Sequence, residues 1–155
     1  MSVVLQIQQR IPPAAEHPLF RRLIDIEGVP AVGAADFETF AAQPGDTLAF
    51  FAEEPDKYRE VLDLAVILPE LAKAFPGRFR SCVLLPDAAR SLQPRYGFIK
   101  WPALVMLRAG EYVGAIAGLR DWNAYLHEIA ALLAAPPSRP PAIGIAVHAV
   151  DRSNN

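Results

Sequence analysis

The side chains that could do chemistry fall into three groups, and their spacing limits what each group can do. Carboxylates concentrate in Glu53-Glu54-Pro55-Asp56-Lys57-Tyr58-Arg59-Glu60, with Asp63 shortly after. Neighbouring carboxylates act as an acid/base pair only where their surroundings push their pKa values apart, and nothing beside this run points to a buried site. Its mixed charges also fit a solvated loop. Cys82 is the single cysteine, so an intrachain disulfide and a multi-cysteine zinc site are both excluded. It lies within an apolar run, where a free thiol is a small buried hydrophobe rather than a nucleophile. His17, His127 and His148 are scattered, with no second ligand at zinc spacing. Dinucleotide, P-loop and serine-hydrolase glycine motifs are missing, so no cofactor is implied.

The elements that must position these groups are organised around residues 99–114, Ile-Lys-Trp-Pro-Ala-Leu-Val-Met-Leu-Arg-Ala-Gly-Glu-Tyr-Val-Gly. Residues 103–107 are an unbroken apolar run, which suits a strand buried on both faces. Pro102 has no amide hydrogen and belongs at the start of that strand, where an X-Pro bond can also be cis. Ala109-Gly110 supplies turn chemistry, and residues 111–117 resume as the second arm of a hairpin.

Upstream, residues 3–8 read as a short edge strand or arm. Residues 17–26 show helical spacing closed by Gly28. Residues 29–32, interrupted by Pro30, read as an edge strand, and Asp36 is placed to cap a helix over 37–42. Residues 47–52 form a compact apolar strand. Val61, Leu64, Ala65, Leu68, Leu71, Ala72 and Phe75 recur at i, i+3, i+4 spacing, which predicts a long helix with Pro69 inside it. A strand over 79–85 carries Cys82, and Pro86-Asp87 opens a helix to about Gln93. Asp121 caps a last helix with Trp122, Tyr125, Leu126, Ile129, Leu132 and Leu133 at helical spacing. Residues 136–155 read as a flexible proline-rich tail, with 143–150 apolar enough to dock or pair.

With 155 residues, 52% hydrophobic and 21% charged, the chain can bury one core. A formal net charge of −2 gives no bulk basic field for nucleic acid. The N-terminus lacks the charged and apolar parts of a secretory signal, and no run reaches the roughly 18 apolar residues of a membrane span. The expectation is a cytoplasmic protein with no membrane span and no nucleic-acid partner.

The order of these elements resembles a thioredoxin domain over residues 29–135, preceded by an N-terminal extension with a helix (1–28) and followed by the tail (136–155). The fold class expected is α/β, a three-layer sandwich with a mixed central sheet flanked by helices. Pro69 resembles the proline inside the thioredoxin active-site helix. Counting back from it puts the redox Cys-x-x-Cys at Val61-Leu62-Asp63-Leu64, where no cysteine stands. The resemblance also implies a cis Trp101–Pro102 bond facing the start of that helix.

A finer resemblance, over 17–135, is to the HyaE/HupG-type hydrogenase expression/formation proteins, which are thioredoxin-like factors without the cysteine pair. It rests on the order of His17-Pro18-Leu19-Phe20, Glu53-Glu54-Pro55, Phe98-Ile99-Lys100-Trp101-Pro102-Ala103 and Leu119-Arg120-Asp121-Trp122. The resemblance implies a non-catalytic chaperone in [NiFe] uptake hydrogenase maturation. Its partners would be the small subunit with its twin-arginine signal peptide, and other hydrogenase accessory proteins. Because such a peptide joins a basic region to an apolar one, the expected site is Glu53, Glu54, Asp56, Glu60 and Asp63 beside Val61, Leu64, Trp101 and Pro102. A single-cysteine redox protein using Cys82 and a structural scaffold subunit are the alternatives.

Overall fold

The structure, a computed structural model, describes residues 11–142. The expectations for residues 3–8 and 143–150 lie outside that span. A 3-10 turn, Ala14–Glu16, leads into α1 (Pro18–Asp25) and α2 (Ala34–Ala41). Then follow β1 (Asp46–Phe51), α3 (Glu60–Ala74), β2 (Arg80–Leu84) and α4 (Pro86–Tyr96). The hairpin β3 (Ala103–Arg108) and β4 (Glu111–Ala117) precedes α5 (Trp122–Ala134).

The four strands form one mixed sheet in the order β2-β1-β3-β4. β1 runs parallel to β2, as the crossover through α3 requires, and antiparallel to β3; β3 and β4 are joined antiparallel by a two-residue turn. Both turn residues take positive φ, Ala109 at 50° and Gly110 at 87°, which matches the twist of a tight hairpin.

Alternation along the strands feeds two cores. Leu48 and Phe50 of β1 face one side with α1, α3 and α5; Ala49 and Phe51 face the other with α2 and α4. On the first side Phe20 stacks on Phe50 at 5.8 Å, which ties the N-terminal helix to the sheet. On the second, Phe51 meets Tyr96 and Phe98 edge-on at 5.8 and 5.1 Å. Cys82 is fully buried in this second core.

Several local expectations change. Residues 29–32 make one parallel bridge, Ala31 to Val83, instead of a strand. The Pro30 carbonyl accepts from Val83 N–H at 2.9 Å and Val32 N–H donates to the Val83 carbonyl at 3.0 Å, but Pro30 has no hydrogen with which to extend the ladder further. Asp36 does not cap α2: Gly33 holds that position, and Asp36 sits in the first turn, where its charge still meets the helix dipole. α4 continues past Gln93 through Pro94 because burying Tyr96 against Phe37, Phe51 and Tyr112 outweighs one lost backbone bond. Gly97, at φ 73°, then ends it. Asp121 caps α5 as expected, accepting from Ala124 N–H at 2.8 Å.

Candidate functional site

Sheet register sets where the site can be. Phe51 pairs with Ala103, and Ala103 with Ala117, so β1 ends, β3 begins and β4 ends at one edge of the molecule. The three segments leaving that edge, residues 52–59, 98–102 and 118–121, are therefore neighbours. The Trp101–Pro102 peptide bond is cis, and the Pro102 carbonyl accepts from Gly118 N–H at 2.7 Å. Gly118 takes φ 82°, a conformation that a side chain resists, and so lets the 118–121 segment turn back across the 98–102 loop.

Between this loop and the start of α3 runs an open groove of about 530 Å³, lined by Tyr58, Glu60, Ile99, Lys100, Trp101, Gly118 and Leu119. Ile99 is 74% exposed and Tyr58 37%, while Trp101 is half-buried and held edge-on by Phe98 at 5.1 Å. An apolar floor with a carboxylate on one rim and an ammonium on the other can hold an extended peptide with apolar side chains. Its lining holds no cysteine, serine, threonine or histidine.

The expected site residues divide. Glu60 and Trp101 meet in the groove. Pro102 is buried beneath it, and Asp56 and Asp63 are exposed. Asp56 turns instead toward a second depression, with Pro12, Pro13 and Lys57. Glu53 and Glu54 are engaged inside the protein. Glu53 forms a two-pronged ion pair with Arg90 of α4, 2.7 Å to Nε and 3.1 Å to Nη2, and also accepts its neighbour's backbone N–H at 2.9 Å. Burial raises the Glu53 pKa, but the Arg90 hydrogen bonds and charge outweigh it and hold the carboxyl below its ordinary value. Glu54 accepts the Ala14 N–H at 2.8 Å and so clasps the N-terminal turn.

Val61 and Leu64, expected to touch a ligand, are fully buried. They belong to the same helical stripe as Ala65, Leu68 and Leu71, and that stripe faces the sheet. Tyr58, Ile99, Lys100, Gly118 and Leu119 were not among the expected site residues. A signal for Ile99 was present: a large apolar residue in a loop, two positions before Trp-Pro, with no helical or strand period to bury it.

Burial pushes the Cys82 thiol up to about 12, far from the thiolate that exchange chemistry needs. Among the described residues, no cluster of three or more His, Cys, Asp or Glu side chains could hold a metal ion, and no helix is long and apolar enough to cross a membrane.

Comparison with known proteins adds to this geometry. The sequence model of the family described as hydrogenase-1 expression protein HyaE matches residues 19–125. The hydrogenase expression/formation protein HoxO of Azotobacter vinelandii is 42% identical over 118 residues, covering 76% of this chain and 79% of that protein. HoxO of Cupriavidus necator is 39% identical over 132 residues, covering 84% and 82%. A thioredoxin variant from Halobacterium salinarum superposes with a TM-score of 0.56 at 22% identity, over 70% of this chain and 93% of that one. The fold is thioredoxin-like α/β.

Proposed function

We propose, because this chain belongs to the HyaE family of hydrogenase expression proteins, that it is a non-catalytic accessory chaperone acting in the cytoplasm during [NiFe] uptake hydrogenase maturation. Its client is the small subunit, held by the twin-arginine signal peptide before export. The observation that carries this reading is the groove, where exposed Tyr58 and Ile99 and half-buried Trp101 lie beside the Glu60 carboxylate. The apolar part of the peptide covers the aromatic floor, and its arginines meet Glu60, with exposed Asp63 and Asp56 adding negative field nearby. Glu53 is left out of this role because Arg90 already neutralises it.

The test is titration of a synthetic twin-arginine signal peptide into the full chain and into Ile99→Asp, which changes an exposed loop residue. Saturable binding lost in the variant supports the reading; equal binding by both sinks it. The redox alternative has its own test. The full chain should not reduce insulin with a dithiol donor, because a thiol pushed up to about 12 has a negligible thiolate fraction at neutral pH. Turnover that vanishes in Cys82→Ser would overturn that expectation.

A further inference from the structure

The groove beside Trp101 carries two opposite charges that do not neutralise each other. Glu60, the first residue of α3, lines one wall and Lys100, from the 98–102 loop, lines another, and both residues are exposed. Among the described residues neither makes an ion pair. The rest of the lining brings no further charge.

The place of Lys100 is set by the segment that turns back from β4. A Cβ at Gly118 would stand 3.8 Å from the Lys100 Cβ and 3.6 Å from its Cδ, so the alkyl stem lies along bare backbone. The Arg120 Nη1 would stand 3.4 Å from the same point, and two cations therefore meet over Gly118. Arg120 is balanced, since its Nε donates to Glu128 of α5 at 3.1 Å. Lys100 is left to give this side of the groove its charge. On the α3 side, exposed Asp63 follows Glu60 by three residues and adds to the negative field.

We propose that Lys100 is a specificity-determining residue, which makes the groove read the order of charges along a bound segment. The segment that fits has its cations before an apolar block and a carboxylate, not another cation, directly after it. A carboxylate is repelled on the Glu60 side and an ammonium on the Gly118 side, so charge order selects as well as apolar content. For a client whose basic region precedes its apolar one, this fixes the direction of the chain, from α3 toward Gly118. That use rests on the groove being the client site; the preference for a carboxylate beside Lys100 does not.

The probe is a set of synthetic peptides with blocked ends. Each has an apolar block of about three to six residues, the span of an ordinary strand, preceded by two arginines or by none and followed by aspartate, asparagine or lysine. Titrated into the full chain at low salt, the twin-arginine peptide ending in aspartate should bind about fivefold tighter than the one ending in lysine. Without the arginines, aspartate should be preferred to asparagine by about two- to fivefold. Lys100→Gln should level both differences and Lys100→Glu should reverse them, while Glu60→Gln should weaken only the twin-arginine set. In about 1 M salt, where charges are screened over about 3 Å, the preferences should vanish. Affinities that ignore the last residue in both sets, or a preference that Lys100→Glu leaves unchanged, would overturn the proposal; saturable twin-arginine binding in the same data would leave the client reading standing. A Lys100-dependent preference with no gain from the arginines would support the proposal and sink the client reading. No saturable binding by any peptide would overturn both.

Discussion

Glu53 shows how one partner converts a candidate binding group into a structural one. Its carboxylate is buried and matched by the Arg90 fork, so Glu53→Gln should cost about 1 to 3 kcal/mol in urea unfolding while leaving signal-peptide affinity unchanged. Because the folded-state pKa is depressed, this contribution is complete above the ordinary glutamate value of about 4.3 and is lost as pH falls through Glu53's own lower value. Wild type and variant should therefore converge in stability in acid. His17 behaves with the same sign for a different reason. Its Nδ1 accepts the Leu19 N–H at 3.1 Å to cap α1, and burial lowers its pKa because the neutral ring is the form that fits. The cap contributes fully above about pH 6.5 and is lost as pH falls from there through the lower folded value. His17→Ala should cost about 1 kcal/mol at pH 7.5 and less at pH 5.5, measured by chemical denaturation.

At the scale of elements, α3 separates core from site by its own phase. Its inward stripe, Val61, Leu64 and Leu68, is sealed against the sheet, while its first residue, Glu60, opens onto the groove. Leu64→Ala should therefore cost about 2 to 5 kcal/mol of stability and leave peptide affinity unchanged under native conditions. Ile99→Asp should do the reverse, abolishing binding with a stability change within about 0.5 kcal/mol. Opposite results would mean that the apolar contact comes from the helix and not from the loop. α5 is fixed at its C-terminus by Arg108 of β3. That guanidinium bonds Asp46 at 2.6 Å and the carbonyls of Leu132, Leu133 and Ala135 at 3.2, 3.3 and 2.5 Å, which satisfies acceptors that a helix end leaves open.

At the scale of the molecule, a formal net charge of −2 provides little long-range attraction for a basic peptide. In the proposed peptide complex, steering would fall to local carboxylates at the start of α3, whose field is screened over about 8 Å at physiological ionic strength. Signal-peptide affinity should weaken as salt rises. The double variant Glu60→Gln/Asp63→Asn should flatten that slope, whereas Glu53→Gln should leave it unchanged. Isothermal titration from 50 to 300 mM salt separates the two outcomes, and an unaltered slope in the double variant would place the basic contacts elsewhere.

What the amino-acid order settled by itself was the succession of elements, apart from residues 29–32, which bridge Val83 without forming a strand. The hairpin over 103–117, the helix capped by Asp121 and the strand ending before Glu53 follow from short-range period, proline and glycine, which act within a few residues. The absence of a cysteine pair, and with it of dithiol chemistry, was equally plain at Val61 and Leu64. Tertiary structure decided which side chains were free to act. Glu53, Glu54 and Glu60 look alike in sequence; a guanidinium 37 residues away and an amide 40 residues away took the first two, and only the third was left at the groove. The helical period likewise put Val61 and Leu64 on one stripe but could not say what covered it. A groove exists only where segments distant in the chain leave the sheet together, and that meeting is set by strand register, a long-range property that no local pattern encodes.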